Sequence, residues 1–585
     1  MCLLTASSSS VALTLPLLEG ASAIVLFFLS FVAAGPLGVR SFAVERLLGQ
    51  LAQRRALAVV TVGCSVLFLR LSLLPILPEP TPSLPDDFSA LLASDTFAHL
   101  RLTNPTPAMW THFESIHVDM KPTYMSMYFP GQGLLLAFGA IVLGKPWFGI
   151  LVSSALMSSA VYWMLQAWLP PRWALLGGIL VALRIGLFSY WIDSYTGGGT
   201  ITALAGALVL GGLPRFTRTR RPRHALLMAT GVVLLAITRP YEGVLLCIPV
   251  AAALVHWFVT TQKRPTATEL LRCIAPAVAV LMLGAIWLGY YDYRVFGHPL
   301  TLPYTVNRAT YATAPYFVWQ HPRPEPQYRH AEMRRFYQDD ELADYRRVHS
   351  GTGFLGMTLI KAIRSIYFFT GFALLPLLLL LPRAVLDRRI RFLVLCLLVV
   401  AVGTAIEIFL FPHYLAPFTA ALYAVGLQAA RHLWHWKPGG QPAGRAMVRL
   451  MVALCFVLAA VRPWDRVLNF PIPQHPVSTW ILNWFGPDSY DTQRAQVERR
   501  LGQIAGGQLA IVRYSANHDP LDEWVYNEAD IDGSKVIWAR DMDAVSNREL
   551  LQYYKGRKAW LVQPDLQPVG VDPYPVTEQI TANSH

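Results

Sequence analysis

Residues 84–105 read LPDDFSALLASDTFAHLRLTNP, and residues 126–133 complete the same stretch with SMYFPGQG. An apolar run at residues 55–77, long enough to cross a bilayer, precedes it, and further apolar runs follow to about residue 463. The adjacent carboxylates Asp86 and Asp87 therefore lie just outside the hydrocarbon, since an unpaired charge would be costly deeper in the membrane. This stretch predicts a polar element at a membrane surface.

A helix is predicted to begin at this acidic pair. Ser83 can cap it and Pro85 suits its first turn. The apolar positions of one helix face are Phe88, Leu91 and Leu92. Two interpretations of the acids stay open. Ser83 and Asp86 fit a capping box, in which the carboxylate only satisfies backbone donors; alternatively, acids at the tip of a membrane-surface helix carry chemistry.

The composition is that of an integral membrane protein, with 54% hydrophobic and 15% charged residues. Apolar runs of about 20 residues span a bilayer. We predict a mainly α, polytopic transmembrane helix bundle of about twelve spans. The candidate spans are 17–35, 56–77, 147–168, 173–190, 197–213, 224–238, 241–260, 274–291, 354–381, 391–411, 413–430 and 446–462.

The charge distribution predicts the orientation of the bundle. From Trp464 onward there are 16 acidic against 11 basic side chains, which leaves the rest of the chain at a net charge of +18. Excess Lys and Arg in a multi-pass protein belong to cytoplasmic loops and do not indicate nucleic acid. Five basic loops alternate consistently on the inside, provided that residues 131–144 do not cross. These loops are 40–55, 214–224, 263–272, 383–391 and 431–449.

The external segments follow from this alternation. The first external loop covers about 78–146, and a second covers about 292–352. The second loop is rich in Tyr, Trp and Pro, so it is either an interfacial cover on the headgroups or a substrate-binding flap. The tail alternates strand-like and helical runs, which predicts an external α/β domain at 464–585 after a transmembrane domain at 1–463.

The conspicuous polar clusters near span ends all lie on the external side in this topology. They are Asp86 with Asp87, Asp95 with His99, Asp193, Arg239 with Glu242, and His413 with Tyr414. Their convergence indicates a cavity open to the outer leaflet. Taken singly, each has a structural alternative: Asp95 and His99 can be a surface pair, Asp193 a helix cap, and Arg239 a headgroup anchor.

The sequence offers no metal or nucleotide motif. The six cysteines have no CxxC spacing and lie mostly in apolar runs, and the HDPLDE segment at 518–523 has no standard ligand spacing. Walker, GxSxG and dinucleotide-binding motifs are absent. We therefore predict no metal ligands and no soluble nucleotide cofactor, although a divalent cation stays open.

The order of these features resembles the GT-C superfamily of membrane glycosyltransferases, near the aminoarabinose transferases and protein O-mannosyltransferases. The similarity covers about residues 56–430 and is most specific at the acidic pair and its helix. YFPGQGLLLAFG resembles the Pro-rich element of that superfamily, and Asp193 resembles its later Asp. TRPYEG resembles its Lys-Gly-Pro turn with Arg239 in place of lysine, and His413-Tyr414-Leu415-Ala416-Pro417 resembles its basic-Tyr-x-x-Pro element.

The sequence departs from this pattern in two places. Met127, Tyr128 and Phe129 stand where the superfamily has a lysine before the Pro-rich element, and the acidic pair is Asp-Asp instead of Asp-Glu. The first departure affects the phosphate-binding arrangement, and the second leaves open which acid has which role.

The resemblance implies transfer of a hexosyl or pentosyl group from a polyprenyl-phosphate donor to a lipid, glycan or protein acceptor. It implies Asp86 and Asp87 as catalytic residues, with Asp86 as the base. The substrate-binding residues would be Asp193, Arg239, Glu242, His413 and Tyr414. The expected location is a bacterial inner membrane, with the site facing the periplasm. The alternatives are a transporter or flippase for a lipid or small solute, and a non-catalytic assembly protein.

Overall fold

The computed structural model describes residues 15–40, 42–262, 266–464 and 491–575. The chain is mainly helical, as predicted. The α-helices are α1 Leu15–Val32, α2 Ala34–Val39, α3 Ala43–Gln53, α4 Arg55–Ser72, α5 Pro85–Ala98, α6 Trp110–Phe113, α7 Pro130–Leu143, α8 Trp147–Trp168, α9 Pro171–Val181, α10 Gly199–Thr219, α11 Pro222–Ala236, α12 Pro240–Thr260, α13 Ala267–Phe296, α14 Pro303–Tyr311, α15 Ala331–Arg334, α16 Leu342–Val348, α17 Gly353–Thr370, α18 Leu381–Val385, α19 Arg391–Ala405, α20 Thr419–Trp434, α21 Ala443–Val461, α22 Gln493–Gly502 and α23 Ala544–Tyr553.

Besides the α-helices, the described residues contain π turns, 3-10 turns and six strands. The π turns are Ala182–Gly186 and Arg335–Glu341, and the 3-10 turns are Leu375–Leu380, Pro412–Phe418, Pro438–Gly440 and Arg462–Trp464. The strands are β1 Val118–Asp119, β2 Met125–Ser126, β3 Gln508–Val512, β4 Val536–Arg540, β5 Lys558–Gln563 and β6 Gly570–Pro573.

Six helices in the described part of the chain are long and apolar enough to cross a membrane, and the number is eight if two bent pairs each form one span. The six are α4, α8, α10, α12, α13 and the helix that begins at Ala443. The bent pairs combine α1 with α2–α3, and α17 with the turn before α18. The other apolar runs form shorter helices, among them α11 and α19 with 15 residues each. Twelve crossings therefore stay a prediction.

The helix α7 corresponds to the segment predicted not to cross. It has 14 residues, fewer than the roughly 20 that a span requires. Glycines bring it close to its neighbours: a Cβ on Gly133 would lie 2.6 Å from Cβ of Ala93 in α5, and a Cβ on Gly149 in α8 would lie 2.1 Å from the carbonyl oxygen of Leu135. This close packing fixes the N-terminus of α7 against the acidic helix α5.

The tail forms a four-stranded sheet in the order β4-β3-β5-β6. Strand β3 runs parallel to both β4 and β5, while β6 is antiparallel to β5. The strands β3 to β5 and the helices α22 and α23 lie in the runs that the sequence alternation predicted. The domain boundary at 463/464 stays a prediction, because the segment after it, residues 465–490, lies outside the described residues.

The tail sheet packs on the first external loop. Val118 and Phe113 share a buried apolar cluster with Leu509 and Ile537 of the sheet. A hydrogen bond also joins the tail to this loop, since the backbone amide of Ala529 donates to the side-chain Oδ2 of Asp95 over 2.7 Å. The loop that follows α5 is thus supported from the side of the tail.

Candidate active site

A cavity of about 1250 Å³ lies at one end of the helix bundle. Segments that are distant in sequence line it, namely parts of the first external loop and residues 238–244, 302–364, 407–414 and 517–521. The basic loops at 214–224, 383–391 and 431–449 connect the opposite ends of the same helices. The site and the basic loops therefore occupy opposite ends of the bundle, the arrangement that the sequence predicted.

The carboxylate of Asp86 lines this cavity and does not cap α5. It accepts a hydrogen bond from the Tyr128 hydroxyl, and its Oδ2 lies 3.6 Å from Nδ1 of His117. The helix N-cap is Leu84 rather than Ser83, so the predicted capping box of Ser83 and Asp86 is displaced by one residue. This leaves the Asp86 carboxylate available to the cavity.

Asp87 takes the structural role instead. Its carboxylate accepts the backbone N–H of Tyr195 over 2.9 Å, of Ser83 over 3.3 Å and of Leu84 over 3.4 Å. It is 0% exposed and is not among the residues that line the cavity. Because successive helix residues point about 100° apart, the two adjacent acids face different surroundings. Asp87 ties the start of α5 to the segment before α10.

The two carboxyls also differ in proton affinity. Burial acts to raise the pKa of Asp86, but His117 and the Tyr128 hydroxyl outweigh it and hold that pKa below its usual value of 3.8. Burial raises the pKa of Asp87 to about 7, despite its backbone donors. Asp86 is therefore ionised at neutral pH.

Asp193 was predicted to bind substrate, and the structure places it elsewhere. Its Oδ1 accepts a bond of 3.1 Å from Arg70 at the end of α4, and both side chains are buried. Asp193 is not among the cavity-lining residues. Since a buried charge needs a partner, this pair joins α4 to the segment before α10 and shapes the cavity from behind.

Arg239 and Glu242 lie together in the cavity lining. The guanidinium donates to Glu242 Oε1 over 3.1 Å from Nε and 2.5 Å from Nη2. Its Cζ lies 3.6 Å from the ring centroid of Tyr414, a cation–π geometry. The predicted His413-Tyr414 element thus meets the predicted Arg239-Glu242 element, although 174 positions separate Arg239 from His413.

His413 is fixed by Tyr190. The Tyr190 hydroxyl lies 2.8 Å from Nδ1 and accepts the His413 backbone N–H over 3.0 Å. The ring packs on Gly197, where a Cβ would lie 2.8 Å from Cγ of His413 and where φ is +78°. A side chain at Gly197 would therefore displace the imidazole. The TGGG segment at 196–199 therefore lets the backbone pack closely against the His413 ring.

The second external loop contributes residues that sequence reasoning did not single out for the site. Tyr304, Arg308 and Tyr316 line the cavity, as do Lys361 of α17 and Glu407 after α19. Because these side chains line the cavity, we favour the interpretation of the second external loop as a substrate-binding flap over that of an interfacial cover. These five residues have no regular spacing, so no local sequence pattern identifies them. Only the packing of the folded chain brings them to the cavity.

The tail also reaches the cavity. Residues 517–521 of the HDPLDE region line it, and Arg335 of the flap donates to the carbonyl oxygens of Ala516 and His518. His518 Nδ1 lies 2.9 Å from Asp565 Oδ1. The segment is therefore a polar loop, and the described residues contain no group of three or more His, Cys, Asp or Glu side chains that could hold a metal.

Comparisons with known proteins add a likeness of fold. No family model and no curated protein matches the chain. Among solved structures, ArnT from Cupriavidus metallidurans in the apo state matches with a TM-score of 0.48 and 13% identity, over 88% of this chain and 93% of that one. The oligosaccharyltransferase of Archaeoglobus fulgidus, tethered with an acceptor peptide, matches with a TM-score of 0.44 and 11% identity, over 86% of this chain and 68% of that one.

A further structure of the archaeal oligosaccharyltransferase AglB, in complex with an inhibitory peptide and a dolichol-phosphate, matches with a TM-score of 0.41 and 10% identity, over 86% of this chain and 69% of that one. At this level of identity the case for function rests on the residues of the cavity.

Proposed function

We propose that this protein is an integral membrane glycosyltransferase that moves a hexosyl or pentosyl group from a polyprenyl-phosphate donor to an acceptor hydroxyl. One observation carries the proposal: a single cavity brings Asp86 of the first external loop together with Arg239 and the His413-Tyr414 element. Sugar transfer from a lipid phosphate requires these two kinds of group, an ionised acid beside the nucleophile and a cation beside the leaving group.

The reaction balances with groups that the cavity supplies. The acceptor oxygen attacks the anomeric carbon, the bond from that carbon to the phosphate oxygen breaks, and the acceptor proton leaves toward the Asp86 side. The departing lipid phosphate gains negative charge, which Arg239 stabilises together with a Tyr414 hydrogen bond. Glu242 offsets part of the Arg239 charge, so release of the lipid phosphate is not prevented by excessive binding.

The lipid portion of the donor has an apolar route to this cavity. Val244, Leu302 and Ile360 line the cavity and are 56%, 44% and 41% exposed. Apolar side chains that face outward at the bilayer suit contact with acyl or isoprenoid chains. We infer that the polyprenyl chain lies beside α12 and α17 with its phosphate inside the cavity.

The proposed setting is a bacterial inner membrane with about twelve crossings and the cavity on the periplasmic side. The acceptor would be a lipid, a glycan or a protein that reaches the cavity between the flap and the tail. No step in the scheme requires a bound nucleotide, because the lipid phosphate serves as leaving group. A divalent cation stays open as a ligand, and no step is assigned to one.

The test is transfer by the purified protein in lipid nanodiscs. Synthetic polyprenyl-phosphate-linked hexoses and pentoses serve as donors, with water and a membrane lipid extract as acceptors, and release of polyprenyl phosphate is measured. We expect turnover with at least one donor. Arg239→Ala should lower kcat and raise KM, because it removes charge from ground state and transition state alike, while Arg218→Ala at the opposite end should change neither.

The alternatives give different results in the same system. A flippase would move a fluorescent polyprenyl-phosphate lipid between leaflets without cleaving it, and Arg239→Ala would stop that movement. A non-catalytic assembly protein would give neither signal. Either result would overturn the proposed function.

A further inference from the structure

His117 lies beside Asp86, and no sequence pattern singles it out. It lies between the short helix α6 and the strand β1, lines the cavity and is 8% exposed. Its backbone has φ of +64°, a region that is uncommon for residues other than Gly, although Asn, Asp and His enter it more often than the rest. Such a conformation persists only where the surroundings hold it.

Contacts from two neighbouring segments hold the His117 backbone in this conformation. Its carbonyl oxygen accepts the Ser89 hydroxyl of α5 over 2.6 Å and the Met127 amide over 3.1 Å. The ring packs edge-on against Phe336 of the flap, with centroids 5.2 Å apart. The imidazole is therefore placed in the cavity by three segments at once.

The hydrogen bonds around Tyr128 fix which ring nitrogen carries the proton. Tyr128 has one hydroxyl proton and donates it to Asp86. The same oxygen lies 3.1 Å from Nδ1 of His117, so in that contact it can only accept. Neutral His117 must then carry its proton on Nδ1 and its lone pair on Nε2. Burial and the Asp86 charge raise the pKa of Tyr128 well above 10, which keeps this hydroxyl protonated.

The second ring nitrogen, Nε2, has no hydrogen-bond partner among the described residues. We propose that His117 Nε2 is the atom that takes the proton of the acceptor, while Asp86, acting through Tyr128, holds the tautomer and stabilises the imidazolium that forms. This inference rests on the proposed glycosyl transfer and assigns its proton-accepting atom. Asp86 would then be a counter-ion to the base rather than the base itself.

The proton balance is simple. The acceptor O–H bond breaks as its oxygen bonds to the anomeric carbon, the proton passes to Nε2, and the bond to the phosphate oxygen breaks with its electron pair on the lipid phosphate. The imidazolium later returns the proton to water in the cavity. The Asp86 carboxylate suits the role of counter-ion, because an acid with a lowered pKa is a weak base but a good partner for a cation.

Three side chains face the His117 imidazole. They are Asp86 from α5, Tyr128 from the segment before α7, and Phe336 from the π turn of the flap. Of these, only Asp86 is charged at neutral pH.

The matched variant is His117→Asn. Asparagine tolerates a positive φ and can donate to Tyr128, but it has no basic nitrogen. In the donor assay with the purified full chain in nanodiscs, we expect kcat to fall by about 10²- to 10⁴-fold with KM nearly unchanged. Added imidazole should restore part of the rate of His117→Gly, which a purely structural role would not allow.

A second measurement does not depend on turnover. Diethyl pyrocarbonate modifies free imidazole nitrogens, and mass spectrometry should find His117 modified faster than His112, whose Nδ1 and Nε2 lie 3.0 Å and 3.2 Å from the carbonyl oxygens of Arg540 and Ser546. Normal turnover by His117→Asn, with wild-type thermal stability, would overturn this inference and leave the proposed function standing. Absence of turnover in the wild type with every donor would overturn both. Slow modification of His117 would also count against the free Nε2.

Discussion

Asp86 and Asp87 are neighbours in sequence, yet α5 directs one carboxylate into the cavity and the other into backbone amides. Asp86→Asn keeps the shape of the side chain and removes its charge. We expect turnover to fall by about 10²-fold or more, with little change in thermal stability, because Asp86 caps no helix. The measurement is release of polyprenyl phosphate alongside a melting curve.

Asp87→Asn is the matched control for this prediction. Its amide group cannot accept from three backbone amides as the carboxylate does, so the melting temperature should fall while kcat of the folded fraction stays near wild type. If Asp87→Asn were inactive and stable while Asp86→Asn kept its activity, the roles of the two acids would be exchanged. If both variants kept their activity, the catalytic assignment at this helix would be wrong.

A second carboxyl of the first external loop predicts a pH dependence of stability. Burial raises the pKa of Asp119 to about 7, against a hydrogen bond from Asn307 that favours the charged form. The folded pKa lies above the unfolded one, so the folded state binds more protons between about pH 4 and pH 7. Stability should therefore decrease as pH rises through this window, by up to about 1.4 kcal/mol per pH unit.

Asp119→Asn isolates this effect. The amide oxygen can still accept from Asn307 Nδ2, which lies 3.0 Å from Asp119 Oδ1, and nothing in the side chain titrates. The melting temperature of the variant should exceed that of the wild type at pH 8 and match it near pH 4. If the wild-type melting temperature rose between pH 5 and pH 8 relative to that of Asp119→Asn, the predicted direction of the pH dependence would be wrong.

The strand β4 ends in Arg540, a buried residue that joins the tail to the first external loop. Its Nε donates to the Glu114 carbonyl oxygen over 2.7 Å, and its Nη2 lies 2.6 Å from Glu523 Oε2. Arg540→Met leaves Glu523 buried without its partner, a change that costs about 3–5 kcal/mol. We expect the tail to become sensitive to protease and turnover to fall, because Glu114 is three residues before His117 in the chain.

The control for Arg540 is Arg513→Met. Arg513 also pairs with an acid, Asp541, but its side chain is 47% exposed, and exposed pairs contribute about 0–1 kcal/mol. Its melting temperature, protease resistance and turnover should stay near wild type. Equal sensitivity of both variants to protease would mean that the contact between Arg540 and Glu114 has no special part in holding the tail.

The elements differ in how well the sequence predicts them. Apolar runs such as 147–168 predict their helices closely, because length and hydropathy decide a membrane helix without knowledge of its neighbours. The tail strands β3 to β5 lie in the short, mostly apolar runs that alternate with helical runs in the sequence. The N-cap of α5 falls at Leu84 instead of Ser83, since the amides that Asp87 satisfies are set by contacts with Tyr195, 108 residues away.

The distance in sequence between contacting residues also explains which site residues could be predicted. Asp86, Arg239, Glu242, His413 and Tyr414 follow charged or aromatic signals at span ends, and the structure brings them to one cavity. Asp193 gives the same signal but pairs with Arg70. His117 gives none, since its position depends on a left-handed backbone conformation and on Ser89, 28 residues earlier. Side-chain partners across such distances are not encoded in any local pattern.

The whole molecule places its cavity and its basic loops at opposite ends of the bundle. Positive loops favour the cytoplasm because translocating Lys and Arg through the membrane is costly. The proposed transfer on the periplasmic side requires the cavity to face away from these loops. Orientation and function are thus coupled: an inverted protein would present Asp86 to the wrong compartment.

Cysteine labelling in a background without the native cysteines tests this orientation. Ala331→Cys lies in the flap and Thr219→Cys beside the basic loop at 214–224, and both positions are exposed. An impermeant maleimide added to intact cells should modify position 331 and leave position 219 unmodified until the membrane is opened. Labelling at 219 alone would reverse the predicted orientation. Labelling at both positions would show that the flap and the basic loop at 214–224 lie on the same side, so the predicted number of crossings between them would be wrong.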